Sequence, residues 1–110
     1  MALYKIKIHV TPSRRLGPRG GWNFHVTPNL QLARWKDEIE WECTTPRGSA
    51  VFLVYLGAGS PMTDESYSPG QPKGKVKFKP LFRPCIFKYW VGVCYQNEIK
   101  LIDPDLEIVP

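Results

Sequence analysis

Along most of the chain, apolar and polar residues alternate with a period of two. In "LYKIKIHV", Tyr4, Ile6, Ile8 and Val10 fall on one face and Lys5, Lys7 and His9 on the other. That pattern is a half-buried strand. "WNFHVTP" repeats it, with Trp22, Phe24 and Val26 in and Asn23, His25 and Thr27 out. "LQLARW" gives a further short strand. "DEIEWEC" sets Ile39, Trp41 and Cys43 against Glu38, Glu40 and Glu42. On a helix Glu38 and Glu42 would meet at i, i+4 and repel; on a strand the acids line the water side. "AVFLVYL" is apolar on both faces, which marks a central strand covered on both sides or one that meets a loop or a partner. "KVKFKP" turns Val76 and Phe78 inward and Lys75, Lys77 and Lys79 outward. "CIFKYWVGVCY" is a long strand and "QNE" a hairpin turn. "IKLI", "DPD" and "LEIVP" complete the chain as one kinked strand or two short ones.

The breaks are as regular as the strands. "TPSRRLGPRGG" holds two prolines, three glycines and three arginines and reads as an exposed basic loop. "TTPRGS" is a turn, and Pro80 and Pro84 bracket a corner. Residues 57–74, "GAGSPMTDESYSPGQPKG", carry no periodicity, and a structureless loop of that length goes with function or mobility. Eleven prolines and nine glycines spread along the chain argue against long helices. The pattern predicts an all-β fold: an antiparallel, two-sheet Greek-key β-sandwich of seven to eight strands. Its 110 residues form a single domain, 1–110, able to bury a core without a metal or disulfide staple.

Composition narrows the function classes. No apolar run reaches the roughly 20 residues of a membrane helix, so no membrane insertion is expected. "MALYKIKIHV" alternates and does not form the continuous apolar block of a signal peptide. The protein is therefore expected in the cytoplasm if Met1 is the native start, and exported if an N-terminal signal has been removed. A net charge of +5 permits an acidic partner. Three cysteines, Cys43, Cys85 and Cys94, cannot all pair within the chain, and their spacing fits no zinc motif. Free thiols in a reducing compartment are the preferred reading; one disulfide with a spare thiol in an exported protein is the alternative.

Three segments carry a family resemblance. "VTPNLQLARWKDEIEWEC" resembles the part of cupredoxin-type sandwiches in which a strand leads through a short turn into a strand ending in an inward Trp. The family's Gly-Asp turn is Lys36-Asp37 here, and Trp41 stands in the expected place. "FKYWVGV" resembles the aromatic strand before the copper loop, and "LEIVP" the final strand. The resemblance implies a cupredoxin-like sandwich. It also implies a ligand set that this chain lacks. A blue-copper centre needs two His nitrogens, a Cys thiolate and a weak axial ligand, often Met. "CTTPRGS" has no His where the first is expected. Cys94 lies near the Cys position, but the following "YQNEIKLIDP" holds neither His nor Met. By alternation Cys94 shares a face with Trp90 and Gly92. No metal and no cofactor is expected; an atypical metal site using Cys94 or His25 is an alternative.

No constellation reads as catalytic. The row Glu38, Glu40 and Glu42 lies on an open strand face, without the cleft and unequal surroundings that separate catalytic carboxylate pKa values. There is no G-x-S-x-G, and "GAGS" lacks the Lys-Ser/Thr of a phosphate loop. The expected role is a non-catalytic binding or protein-interaction module, with another protein as partner. The candidate contacts are Arg14, Arg15 and Arg19 in the basic loop, the row Lys75, Lys77 and Lys79, and Trp90 on a face left open beside Gly92. The lysine row reads first as a guard against edge-to-edge pairing. Binding of nucleic acid or another polyanion is the alternative.

Overall fold

The computed structural model describes residues 1–13, 21–45 and 50–110. Among them the chain forms eleven strands and no helix. They are β1 (Leu3–Ser13), β2 (Gly21–Thr27), β3 (Leu30–Ala33), β4 (Glu38–Thr44), β5 (Val51–Tyr55), β6 (Ser66–Tyr67), β7 (Lys73–Lys75), β8 (Cys85–Lys88), β9 (Trp90–Tyr95), β10 (Glu98–Ile102) and β11 (Asp105–Ile108). The hydrogen-bonded sheets run β2-β1-β4-β7, β10-β9-β5-β6 and β3-β11-β8. The all-β expectation holds, and the arrangement is compatible with a β-sandwich. The count of seven to eight strands does not hold, because short segments and mid-strand bends divide the pattern further.

The second and third sheets share a hairpin. Tyr95 faces Glu98 in β9–β10, and Cys85 faces Ile108 in β8–β11. Between them Tyr89 N–H donates to the Pro104 carbonyl at 3.1 Å, so one register runs through both halves. The turn is a two-residue loop with positive φ at Gln96 (50°) and Asn97 (62°), the conformation whose twist suits a hairpin.

Two strand pairs are parallel, against the expectation of a purely antiparallel fold: β1 with β4 and β3 with β11. The reason is topological. After β2 the chain turns through a cis Thr27–Pro28 peptide into β3, which belongs to a different sheet. It then returns as β4 alongside β1 and in the same direction. Parallel neighbours need such a crossover.

Period-2 burial is seen in β2, β4 and β5, whose inward residues are Trp22, Phe24, Val26, Ile39, Trp41, Phe52 and Val54. One apolar cluster draws on all three sheets. Its centre is aromatic. Trp41 stacks on Tyr67 at 4.9 Å between centroids and meets the edge of Tyr89 at 5.8 Å. Its indole N–H donates to the Tyr89 hydroxyl at 3.4 Å. Residues 57–74 are not structureless: β6 pairs with β5, Met62 bridges Val76, and Met62 and Tyr67 are fully buried. A Cβ at Gly74 would run into the phenol ring of Tyr67, so the glycine makes room for that ring.

Asp37 ties the N-terminus to the β3–β4 turn. Its buried carboxylate accepts from the Ala2 amide at 2.9 Å and the Arg34 amide at 2.8 Å. The residue before it, Lys36, has φ 72°, a left-handed conformation that suits Gly better than Lys.

Burial pushes the Tyr89 hydroxyl up to about 12, despite the hydrogen bond from Trp41. The unfolded chain therefore loses this proton first, near pH 10. Stability from this group is complete below pH 10 and is lost as pH climbs through about 12. The loss should be about 2–3 kcal/mol. Urea unfolding of wild type and Tyr89→Phe at pH 9 and pH 12 measures it: the variant should lack this share of the alkaline loss, and an identical loss in both proteins would refute the assignment.

Candidate interaction surface

β5, β9 and β10 turn one face to the core and the other to solvent, and the solvent face is apolar. The pairing registers set its rows: Val51, Cys94 and Ile99 in one, Leu53, Gly92 and Leu101 in the next, and Tyr55 beside Trp90. Six of these side chains (Val51, Leu53, Tyr55, Trp90, Ile99 and Leu101) are half exposed or more. Together they offer roughly 600–700 Å² of apolar surface, taking about 150–250 Å² for a whole large side chain. A typical monomer's largest patch is about 300–600 Å². Gly92 leaves a notch at the centre, about 210 Å³, walled by Val51, Leu53, Ile99 and Leu101. The notch cannot be lined further without crowding, since a Cβ at Gly92 would lie 3.0 Å from Leu101 Cδ2. Charge begins two residues before Trp90, where Lys88 pairs with Asp105 at 3.3 Å and Asp103 at 3.8 Å.

The structure places Trp90 on this face, beside Gly92 and Cys94, as strand alternation requires. It does not bring Trp90 together with the lysine row. β7 spans only Lys73–Lys75, and Lys77 and Lys79 lie beyond its end, all exposed. Nor is this edge open at Lys75 and Lys77. Thr63 N–H donates to the Lys75 carbonyl at 2.9 Å, and Lys77 N–H donates to the Pro61 carbonyl at 2.8 Å. Residues 61–63 cover the backbone that the lysines were expected to guard. Arg14, Arg15 and Arg19 lie outside the described residues.

The acidic row is neutralised across the sheet. Lys5 meets Glu42 at 3.1 Å and Glu40 at 3.8 Å, and Lys73 meets Glu38 at 3.4 Å. Hydrogen bonding to Glu42, then the charges of Glu42 and Glu40, hold the Lys5 ammonium above its ordinary pKa. Exposed pairs of this kind contribute little to stability.

The copper-ligand positions can be compared with the geometry. Cys94 is exposed and sits on the outer face between Val51 and Ile99. His9 and His25 belong to β1 and β2, stacked on each other at 4.8 Å. His9 Nε2 is 2.7 Å from Thr27 Oγ1 and His9 Nδ1 is 3.5 Å from Thr44 Oγ1. Among the described residues no three His, Cys, Asp or Glu side chains converge to hold a metal ion. All three cysteines are free; burial pushes the Cys43 thiol up.

No helix of the described residues is long and apolar enough to cross a membrane. No family model matches the chain, and no curated protein matches it.

The apolar face was half legible in the sequence. The two-sided apolarity of "AVFLVYL" marked β5 as covered on both sides or as meeting a loop or a partner, and its outer residues Val51, Leu53 and Tyr55 are exposed. Ile99 and Leu101 gave no such signal, because only the hairpin register brings them beside Gly92 and Cys94.

Proposed function

We propose that this chain is a non-catalytic protein-interaction module on a metal-free, Greek-key, cupredoxin-like sandwich, and that it acts through the outer face of β5, β9 and β10. The carrying observation is that face: six large apolar side chains in register, four of them around a notch, with no charged residue among them. The fold reading is supported by Trp41 buried behind the Lys36–Asp37 turn, and by a left-handed Lys36 where the resembled family has Gly. The metal-free reading is supported by the outward Cys94 and by the hydroxyl partners of His9. That imidazole and its two threonines lie on the surface, without the water-excluded, preorganised surroundings in which such groups do chemistry.

The occupant is a second copy of the chain. A standard interface takes about 800 Å² from each partner, and the apolar patch with a polar rim reaches that size. Two molecules that each carry +5 can meet here without bringing like charges face to face, because the patch residues are uncharged. The notch accepts a projecting side chain from the other copy; a dry cavity of about 150 Å³ already takes a benzene ring.

Sedimentation equilibrium tests this. Wild type should form a dimer with a dissociation constant on the order of micromolar, about 8 kcal/mol of association. Leu53→Glu/Leu101→Glu should be monomeric with an unchanged circular dichroism spectrum. A wild type still monomeric at about 500 µM, where a micromolar dimer would be nearly complete, would remove self-association from the reading.

A further inference from the structure

Between Glu65 and Glu98 the chain contains six cations, Lys73, Lys75, Lys77, Lys79, Arg83 and Lys88, and no carboxylate. Lys73 and Lys88 pair with acids on neighbouring strands. Lys75, Lys77, Lys79 and Arg83 make no ion pair among the described residues, nor does Lys36. Lys77, Lys79 and Arg83 flank the loop that carries, among the described residues, the most exposed apolar side chains after Met1. In "KPLFRP", Leu81 is 79% and Phe82 90% exposed, between Pro80 and Pro84. The same loop walls a shallow groove of about 500 Å³ with Phe78, Pro80 and Cys85, and with Lys79 and Arg83 at its margin. Across Lys79 the surface continues to Trp35, which is 42% exposed. The Lys36 and Lys79 ammonium groups lie over its ring at 4.4 and 4.9 Å.

We propose that this end of the molecule docks on an anionic phospholipid surface, with Leu81 and Phe82 entering the boundary between headgroups and acyl chains and Lys36, Lys79 and Arg83 meeting the headgroup charge. Charge complementarity chooses an anionic partner. The apolar tip chooses among anions. A protruding Leu-Phe pair gains little from a polyanion in water, whereas it is buried by an acyl layer. Trp35 is poorly placed to stack a nucleobase, because ammonium groups already occupy its ring. Phe78 is likewise engaged, edge-on to Phe87 at 5.6 Å. An aromatic residue beside lysines is at home at headgroup depth. Apolar insertion and basic contact together supply the two signals that stable surface anchoring takes. The chain lies on the membrane and does not cross it.

Vesicle co-sedimentation tests the proposal, using phosphatidylcholine vesicles with and without about a third phosphatidylserine, a content that gives a substantial negative surface potential. Wild type should bind the anionic vesicles, weaken with added salt, and bind the neutral ones far less. Lys79→Gln and Arg83→Gln should each lower the partition about five-fold. Leu81→Ser and Phe82→Ser should each lower it about tenfold or more. All four side chains are exposed, so urea midpoints should stay at the wild-type value. In a Trp90→Phe background Trp35 is the one remaining half-exposed Trp, since Trp22 and Trp41 are buried. Its emission should shift to the blue on vesicle binding. Failure to bind anionic vesicles at low salt would overturn the proposal. So would full binding by Leu81→Ser/Phe82→Ser, or tighter binding to a single-stranded oligonucleotide than to the vesicles; either result would point to a polyanion site in its place.

Discussion

Trp41→Ala is expected to cost about 3–5 kcal/mol of stability, the range for deleting a large buried aromatic. Trp41 is the residue on which the sheets close. On β4 it lies opposite Ile6 of β1. Its ring stacks on Tyr67 and meets Tyr89, which come from the other sheet and from the β8–β9 bend. Removing the ring opens a cavity that these partners cannot collapse into. Tyr67 is held by hydrogen bonds to its hydroxyl from the Asp64 amide and with Thr63, and by its seat over Gly74. The Tyr89 hydroxyl would also lose its buried donor. Trp41→Phe should recover more than half of the loss, because it refills most of the volume without restoring the N–H. Urea unfolding of the three proteins gives the comparison. A cost under about 1 kcal/mol for Trp41→Ala would place the ring outside the core and make the β4 register wrong.

Asp37→Ala should cost about 3 kcal/mol, the second largest effect we expect. The carboxylate is buried and accepts from two backbone amides, and a hydrogen bond to a charged group contributes about 1.5–3 kcal/mol. Alanine leaves both donors unanswered beneath the β3–β4 turn. The turn also carries backbone bonds that rely on its shape: Asp37 N–H to the Arg34 carbonyl, Val76 N–H to the Asp37 carbonyl, and Lys36 N–H to the Val76 carbonyl. Loosening Asp37 should therefore reach β7 as well as the N-terminus. Asp37→Asn offers one carbonyl oxygen where the carboxylate offers two, and should lose about half as much. Amide exchange should accelerate at Ala2 and Arg34 in both variants, more so in the alanine one. Unchanged exchange at those two amides would show that the carboxylate does not hold them.

The alternation of residues was enough by itself to establish that the chain is all-β, which residues of β1, β2 and β4 face inward, that Trp41 is core, and that the β9–β10 connection is a tight hairpin. Period-2 burial is a local property: each strand carries its own two faces, and neighbouring residues suffice to read them. The absence of a second His and a Met near Cys94 was legible for the same reason, being a matter of which residues are present. Tertiary structure alone decided which strands became neighbours. The parallel pairs β1–β4 and β3–β11 depend on the chain changing sheets after Thr27, which no local pattern encodes. Tyr67 and Met62 entered the core from a segment without periodicity, because β6 is only two residues long and Met62 makes a single bridge, too short a run for alternation to show. The apolar surface follows the same rule. Leu53, Gly92 and Leu101 are far apart in sequence, and only cross-strand register sets them side by side. Lys79 reached Trp35 through the fold in the same way, which turned a lysine read as an edge guard into part of a basic, aromatic end of the molecule.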